Sequence, residues 1–246
     1  MSEKDSEMID LSIVLPAYEE GENLEKLLPK LQEVAKRITA THEILVVDTE
    51  TPHDATPEVC ARYGVRYVPR QGGPMYANAV GTGIAQSRGR HVLFMDADGS
   101  HNPEFIPVLW SLREDYDLVI ASRYVHGGKT ENPWILILLS YIVNVVFRLV
   151  LGLRCLDVSN SFRLYRGDDL RKLRLECQHF DVVEEILVKL VYSRDQYRIK
   201  ETPSTFEKRK AGKTKRELVK FAMGYLGTLR RLLSLKSKIA KSSRNQ

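Results

Sequence analysis

Short apolar runs alternate with helix-like stretches through the first half of the chain, and this alternation constrains the fold most. The predicted strands cover 11–15, 43–47, 65–68, 91–95 and 117–121, and the predicted helices cover 22–38, 57–63 and 76–87. Strands joined by helical crossovers form a parallel, doubly wound sheet that binds its ligands at the carboxyl ends of the strands. We therefore predict an α/β fold with a mostly parallel sheet and flanking helices.

Length and charge limit the classes of function without choosing one. The 246 residues suffice for one catalytic domain and a short accessory segment. The net charge of +5 fits phosphorylated ligands, an anionic membrane surface or nucleic acid. A nucleic-acid partner is not expected, because no helix-turn-helix, RRM or zinc pattern is present. Three widely spaced cysteines predict neither a zinc site nor a disulfide framework.

The strongest chemical motif directly follows the fourth predicted strand. Residues 95–101 read MDADGSH, which places Asp96 and Asp98 two residues apart in a turn. Carboxylates in this arrangement can bind one divalent cation together, and Mg²⁺ or Mn²⁺ keeps further positions open for substrate phosphates. Such a cation neutralises the charge that develops on a departing nucleoside diphosphate. Asp48, at the end of the second predicted strand, lies at the same sheet edge.

Several motifs resemble those of one enzyme family in their order along the chain. PAYEE at 16–20, VVD at 46–48 and MDAD at 95–98 resemble the inverting family 2 glycosyltransferases with a GT-A fold. SRY at 122–124, DVSNSFR at 157–163 and ETPSTFEKRKAGKTK at 201–215 are similar to the polyprenyl-phosphate glycosyltransferases, including dolichyl-phosphate mannose synthases. The resemblance spans about 11–215, so it predicts a GT-A catalytic domain over that range.

The resemblance implies roles for individual residues. Nucleotide-sugar binding is implied for Pro16, Ala17, Tyr18, Glu20, Asp48, Gly72, Gly73, Asp96, Ala97 and Asp98, and metal binding for Asp96 and Asp98. Binding of the acceptor phosphate is implied for Ser122, Arg123, Lys129, Arg209 and Lys215, and the sugar pocket for Ser161, Phe162, Arg163, Glu184 and Glu185. The catalytic residues are then Asp98, Arg123 and Arg209. Arginine suits this task because its planar fork binds phosphate through two hydrogen bonds.

The resemblance implies transfer of a hexose from a nucleotide diphosphate sugar to polyprenyl or dolichyl phosphate. Mannose is the first candidate for the hexose, and GDP-mannose for the donor. An acceptor phosphate is already ionised near neutral pH, so a strong general base is not obligatory. We expect one in-line displacement with inversion. We also expect a cytoplasmic enzyme, peripheral on a membrane, with a membrane anchor subunit as a potential partner.

Two segments suggest membrane contact. Residues 134–153 are very apolar, but Ser140, Asn144 and Arg148 form a polar stripe at successive i+4 positions. This pattern is typical of an interfacial helix, and equally of a domain helix whose stripe faces water or a partner. The tail 216–246 is rich in Lys, Arg and Leu and predicts a basic amphipathic helix. We treat 1–10 as a flexible N-terminus.

The chain departs from the family pattern at the nucleotide loops. Relatives carry Asp-Asp in the second loop, whereas this chain has Asp48-Thr49, so Glu50 or Asp54 is a candidate substitute. The loop with Gly72 and Gly73 lacks the lysine of many relatives. No basic residue begins the apolar helix, which makes Lys129 a candidate substitute there.

Two other functions stay open at this point. One is a soluble family 2 transferase with a hydroxyl acceptor, which needs a carboxylate base near the acceptor. The other is a catalytically silent subunit that binds a sugar nucleotide and serves as a scaffold. Retention of both Asp96 and Asp98 disfavours the silent subunit.

Overall fold

The computed structural model describes residues 8–177, 179–207 and 218–242, with side chains of the last helix described for 227–239. The first half alternates strands and helices as the sequence predicts. Its elements are β1 Leu11–Pro16, α1 Gly21–Ile38, β2 His42–Asp48, α2 Thr56–Arg62, β3 Arg66–Pro69, α3 Tyr76–Gln86, β4 His91–Phe94, α4 Ile106–Ser111 and β5 Leu118–Ser122.

The second half contains the predicted apolar and basic helices together with elements that the sequence did not predict. They are β6 Lys129–Thr130, α5 Trp134–Leu151, β7 Arg163–Arg166, α6 Gly167–Arg171, α7 Val182–Val191, β8 Ile199–Pro203, β9 Thr205–Phe206 and α8 Leu218–Ser242. Strands β7 and β8 overlap the ends of the motifs at 157–163 and 201–215, for which no strand was predicted. Each is too short to show a clear period against its polar neighbours.

A seven-stranded sheet forms the centre, in the order β3-β2-β1-β4-β7-β5-β8. Strands β1, β2, β3 and β4 are parallel, β7 is antiparallel to both β4 and β5, and β8 is parallel to β5. The predicted α/β class with a mostly parallel sheet is confirmed. Because β7 runs in the opposite direction, the loop that precedes it lies at the edge where the parallel strands end.

Apolar clusters cover both faces of this sheet. One face packs against α1, α2 and α4, with Leu24, Leu28 and Trp110 among its buried side chains. The other packs against α3, α5, α7 and α8. A sheet covered on both faces explains why its central strands are continuous apolar runs instead of alternating ones.

Helix α5 buries the centre of its polar stripe and exposes much of its apolar surface. Asn144 is buried; its Nδ2 donates to the Ser140 carbonyl at 2.8 Å and its Oδ1 accepts from the Val158 amide at 2.6 Å. The side chains of Trp134 and Leu149 are 74% and 68% exposed. Asn144, at the centre of the stripe, therefore faces the protein, while Ser140 and Arg148 are half-buried. By length and composition α5 could cross a membrane.

Helix α8 uses two of its basic side chains to pack against the domain. Arg231 pairs with Asp181 at 2.6 Å and with Glu185 at 3.1 Å. Lys236 Nζ donates to the carbonyl oxygen of Leu151 at 2.8 Å. These cations hold α8 against α7 and α5, so the tail is not a uniformly solvated basic surface. Arg230 and Lys238 are exposed.

Candidate active site

The polar loops of the chain converge on one edge of the sheet. Strands β1, β2, β4 and β5 end there, and β7 begins there, because β7 is antiparallel to its neighbours. The loops after Pro16, Asp48, Phe94 and Ser122 therefore lie at the same edge as the loop of residues 157–161. This is the edge at which doubly wound sheets bind their ligands.

The loop of residues 95–101, called the acid loop below, has a backbone shaped for two carboxylates. Gly99 has a φ of 76°, in the left-handed region that glycine adopts without strain. Asp98 Oδ1 accepts hydrogen bonds from the Ser100 amide at 3.0 Å and the Ser100 hydroxyl at 2.6 Å. Asp96 Oδ1 accepts from the Ser161 hydroxyl at 2.8 Å. Each carboxylate is thus oriented by a hydroxyl group through one of its oxygens.

This donor set fits a magnesium or manganese ion. Asp96 and Asp98 are half-buried and offer oxygen ligands, which these hard cations prefer. Within the described part of the chain, no group of three or more His, Cys, Asp or Glu side chains is arranged to hold a metal. Two carboxylates without a third protein ligand suit an ion whose coordination is completed by substrate phosphates and water.

Arg123 forms a bidentate ion pair with Asp157 directly after β5. Its Nε donates to Asp157 Oδ2 at 2.9 Å and its Nη2 to Oδ1 at 2.7 Å, while Nη2 also donates to Ser159 Oγ at 2.9 Å. The side chain of Asp157 has no exposed surface. Burial alone would raise the pKa of Asp157, but the charge and hydrogen bonds of Arg123 outweigh it and hold the pKa below its usual range. The pair fixes the orientation of the guanidinium group.

Glu201 organises the backbone behind this pair. Its Oε1 accepts from the Ser122 hydroxyl and the Asp157 amide, both at 2.8 Å, and its Oε2 accepts from the Leu156 amide at 2.6 Å. The Ser122 hydroxyl is therefore engaged by Glu201. Lys129 lies in β6 and pairs through its backbone with Thr205, while its side chain is exposed.

Asp48 is a buried carboxylate at the end of β2. Its side chain has no hydrogen-bond partner among the described residues, and the nearest cation, Arg70 Nη2, is 3.9 Å from Oδ1. Burial raises the pKa of Asp48. The nearby backbone amide of Thr49 offsets part of this rise in pKa, although its position does not satisfy the geometry of a hydrogen bond to the carboxylate. A desolvated acceptor of this kind is stabilised by a ligand that donates hydrogen bonds.

Arg70 joins the first loop to the glycine loop. Its Nη2 donates to the Ala17 carbonyl at 2.6 Å and its Nη1 to the Pro74 carbonyl at 2.7 Å. Gly72 and Gly73 have φ angles of 84° and 124°, which demand glycine. An open cavity of about 600 Å³ is lined by Glu50, Arg70 and Gly72 among others, but not by the acid loop.

The two candidate substitutes for the missing second aspartate differ in their surroundings. Asp54 Oδ2 accepts from the Gly21 amide at 2.8 Å and its Oδ1 from the Thr56 amide at 3.0 Å. Its carboxylate therefore joins the start of α1 to the start of α2. Glu50 is exposed at the cavity beside β3. Of the two, Glu50 is the better placed for a ligand.

The residues of the first loop differ in exposure. Tyr18 is exposed, and its ring lies 5.9 Å from that of His53. Glu20 is buried, and its Oε2 accepts from Asn23 Nδ2 at 2.6 Å. Ala17 and Ala97 are buried too. Pro16 ends β1. Among these, Tyr18 has the surface for direct contact with a nucleotide.

The residues predicted for the sugar pocket divide into one at the site and four behind it. Ser161 contacts Asp96 directly. Phe162, Arg163, Glu184 and Glu185 are buried. Glu185 accepts from the backbone amides of Glu176 and Cys177, each at 2.8 Å. Burial would raise the pKa of Glu185, but its hydrogen-bond donors lower it to about 2. Like Asp48, these four side chains are buried in this conformation, so a direct contact of any of the five with a ligand stays a prediction.

Comparison with known proteins identifies the family. The model of Glycosyl transferase family 2 matches residues 12–174. The chain belongs to glycosyl transferase family 2.

Three curated relatives within family 2 are similar over most of this chain. A dolichol-phosphate mannosyltransferase of Pyrococcus furiosus is 32% identical over 212 residues, 83% of this chain and 58% of the relative. A polyprenol monophosphomannose synthase of Mycolicibacterium smegmatis is 30% identical, covering 82% and 79%. An undecaprenyl-phosphate mannosyltransferase of Micrococcus luteus is 32% identical, covering 82% and 85%. The chain thus spans little more than half the length of the Pyrococcus protein.

Solved structures share the fold. Glucosyl-3-phosphoglycerate synthase from Mycobacterium tuberculosis, in complex with phosphoglyceric acid, gives a TM-score of 0.72 at 20% identity, covering 92% of this chain and 80% of its own. The same enzyme with Mn²⁺, uridine diphosphate and phosphoglyceric acid gives 0.71 at 20% identity, covering 92% and 78%. The predicted GT-A type of fold is confirmed.

Two predicted acceptor residues of this family 2 chain, Arg209 and Lys215, lie outside the described residues. Their roles stay predictions. The described stretch that precedes them ends at Glu207, whose amide donates to the Ser100 carbonyl at 2.9 Å.

Sequence reasoning missed three residues of the family 2 site. Asp157 and His101 stand inside motifs that were recognised, but neither was given a role. Asn144 was read as part of a stripe, although its Nδ2 lies 3.2 Å from Ser159 Oγ, the hydroxyl that also binds Arg123. A charged residue inside an otherwise small and polar loop was the available signal for Asp157. Nothing in the sequence pattern indicated the partner of Asn144.

Proposed function

We propose that this chain transfers a hexose from a GDP-linked donor to a polyprenyl or dolichyl phosphate at a membrane surface. The hexose that we propose first is mannose. The observation that carries the proposal is the junction between the acid loop and Arg123. Ser161 binds Asp96 and Ser159 binds Arg123, so one short loop links a site for a diphosphate to a site for a second phosphate. The names of the three curated relatives support the same reaction.

On the donor side, Asp96 and Asp98 would hold Mg²⁺ or Mn²⁺. When bound, this ion neutralises the negative charge of the donor's diphosphate and of the departing nucleoside diphosphate. Ser100 and Ser161 orient the two carboxylates by donating hydrogen bonds to them. Removal of such a supporting hydrogen bond typically lowers metal affinity or activity by about 10- to 100-fold.

On the acceptor side, Arg123 supplies positive charge to the lipid phosphate, with Ser122, Lys129, Arg209 and Lys215 as its proposed helpers. A phosphate oxygen of the acceptor attacks the anomeric carbon, and the bond from that carbon to the diphosphate oxygen breaks as the new one forms. The nucleoside diphosphate leaves with the bonding electrons. Two anions must meet in this step, so cations that hold them in line provide most of the catalysis.

The open alternatives are less well supported. A hydroxyl acceptor needs a carboxylate base, but Asp157, which pairs with Arg123, and Glu201, which binds the Asp157 amide, are held by internal hydrogen bonds. A silent scaffold subunit has no use for two carboxylates that are each oriented by a hydroxyl group. We further propose one catalytic domain over 11–215, with 216–246 as an accessory segment.

A donor screen tests the reaction and the base at once. The purified chain with MnCl₂ and polyprenyl phosphate should form a mannosylated lipid from GDP-mannose, and far less product from UDP-glucose. The physical reason lies in Asp48, whose carboxylate can accept from both N1–H and the exocyclic amine of guanine, whereas uracil offers only N3–H. The product is measured by mass spectrometry of the lipid extract. No glycosylated lipid from any donor would contradict the proposal.

Asp48→Asn is the variant that tests the base contact. We expect GDP binding to weaken by about 10- to 100-fold, because a hydrogen bond to a charged group contributes about 1.5–3 kcal/mol. UDP binding should change less, which reduces the preference. Glu58→Gln, on the exposed side of α2, removes the same charge and serves as the control. An unchanged GDP affinity in Asp48→Asn rules out this contact.

We also propose that α5 lies on the membrane with its apolar side. The proposal is supported by the exposed side chains of that helix, which include Trp134, Leu138, Tyr141 and Leu149. Exposed apolar surfaces formed by several neighbouring side chains mark interaction sites. A lipid-linked substrate makes the bilayer the natural partner for this surface. The exposed cations Arg230 and Lys238 favour an anionic leaflet. An anchor subunit is a further proposed partner.

Leu149→Glu should weaken binding to vesicles that contain anionic lipid and polyprenyl phosphate. In the membrane-bound state the leucine side chain would be buried in lipid, and the loss of this burial costs about 1.5–3 kcal/mol. This cost predicts at least about a tenfold loss of vesicle binding. Val108→Glu, at an exposed apolar position of α4, is the matched control and should bind as the wild type does. Co-sedimentation measures both variants. Equal losses in the two variants, or none in Leu149→Glu, would refute the assignment to α5.

A further inference from the structure

His101 is buried between aromatic rings at the end of the acid loop. Its side chain is 2% exposed. Its ring stacks on Phe162 with centroids 4.8 Å apart and meets the edge of Phe206 at 5.4 Å. Its Nδ1 accepts a hydrogen bond from the backbone amide of Asp96 at 3.0 Å.

Phe206 connects this histidine to Arg123. The Cζ atom of Arg123 lies 5.7 Å from the centroid of the Phe206 ring, within the range of a cation–π contact. Phe206 belongs to β9, which pairs with β6, and its carbonyl accepts from the Glu131 amide at 3.0 Å. One aromatic ring thus contacts both the acid loop and the arginine proposed for the acceptor.

The backbone of the acid loop is fixed at both ends by the same group of residues. His101 holds the amide of Asp96, and the amide next to Phe206, that of Glu207, donates to the Ser100 carbonyl at 2.9 Å. Ser100 in turn orients Asp98. A shift of Phe206 would therefore move the loop of the two carboxylates relative to Arg123.

We propose that His101 and Phe206 form an aromatic clamp of positioning residues that sets the separation between the acid loop and Arg123. The inference rests on the proposed function, in which the acid loop binds the donor diphosphate and Arg123 the acceptor phosphate. An in-line displacement between two anions tolerates little error in their separation, and a misplacement of 1 Å can cost about 10²-fold in rate. The clamp acts through the groups it holds and touches no reacting atom.

The substitution Phe206→Leu tests the clamp, with Phe105→Leu as its matched control. Phe105 packs on Phe162 at 6.1 Å in the same aromatic cluster, but no described ring or cation contact joins it to His101 or Arg123. We expect Phe206→Leu to lower kcat by about 10- to 100-fold with a nearly unchanged KM for the nucleotide sugar. Phe206→Tyr keeps the ring and should restore most of the rate. Phe105→Leu should lose stability but little kcat.

A second readout needs neither lipid nor turnover. In ¹⁵N NMR spectra, the Asp96 amide should exchange with solvent faster in Phe206→Leu than in Phe105→Leu. His101→Asn, whose side-chain oxygen can take the place of Nδ1, should protect that amide better than His101→Leu.

The outcomes separate the clamp from the reaction itself. Equal exchange of the Asp96 amide in the two leucine variants, or equal losses of kcat, would overturn the clamp. A wild-type chain that binds nucleotide and Mn²⁺ but does not glycosylate polyprenyl phosphate would overturn the proposed function, while the exchange of the Asp96 amide still decides the clamp.

Discussion

Asp98→Ala should abolish sugar transfer, with a loss of at least about 10²–10³-fold in kcat. The carboxylate is one of two in the acid loop that can bind a divalent cation, and without it the charge on the departing nucleoside diphosphate is poorly neutralised. Binding of Mn²⁺ in the presence of GDP, followed by calorimetry, should weaken in parallel. The loss of metal affinity then accounts for the loss of rate.

Two further variants separate the charge of Asp98 from its place in the loop. Asp98→Asn keeps an oxygen near the Ser100 amide and hydroxyl, and should preserve the fold while transfer is still largely lost. As a control, Asp115→Asn removes an exposed carboxylate from the segment after α4 and should leave transfer unchanged. If Asp98→Ala binds Mn²⁺ as tightly as the wild type, the site is not a metal site.

Asp157→Ala should destabilise the protein by about 3–5 kcal/mol, because it leaves the Arg123 guanidinium without its buried partner. The side chain of Arg123 is only 10% exposed, so water compensates the lost partner poorly. Denaturant unfolding measures the difference. The double variant Arg123→Met with Asp157→Leu should lose less free energy of unfolding than the sum of the losses in its two single variants. The reason is that the double variant leaves neither charge without its partner.

The pH dependence of this pair has a definite sign. The pKa of Asp157 is lower in the folded protein than in the unfolded chain, so its stabilisation is complete above the ordinary aspartate pKa of about 3.9. It is lost as the pH falls through the lower, folded pKa. The difference in unfolding free energy between wild type and Asp157→Ala should therefore be constant near neutrality and shrink only in strong acid.

An exposed ion pair provides the comparison. Glu104→Ala removes the 2.5 Å pair with Arg37, in which both side chains are about half exposed. Water screens this pair, and its removal should have little effect on the free energy of unfolding. A loss in Asp157→Ala no greater than in Glu104→Ala would show that the Arg123 pair does not stabilise the fold.

The outward apolar face of α5 and the inward position of Asn144 were not predictable from periodicity. A hydropathy pattern shows that one side of a helix differs from the other, but not which side meets the protein. Here Asn144 turns inward because two groups of the 157–161 loop, the Val158 amide and the Ser159 hydroxyl, need a polar partner. A buried polar side chain is retained where it satisfies other buried polar groups.

Local sequence determined the alternation of strands and helices, the fold class, and the acid loop with Asp96 and Asp98. These features depend on neighbours along the chain: apolar runs that make buried strands, and a turn that brings two carboxylates together. Only the tertiary structure decided which groups hold Arg123, how His101 meets Phe206, and that the loop before β7 joins the site. Each of those contacts joins residues distant in sequence. The loop before β7 reaches the site because β7 runs antiparallel to β4 and β5, whereas Phe206 reaches His101 from β9, which pairs with β6.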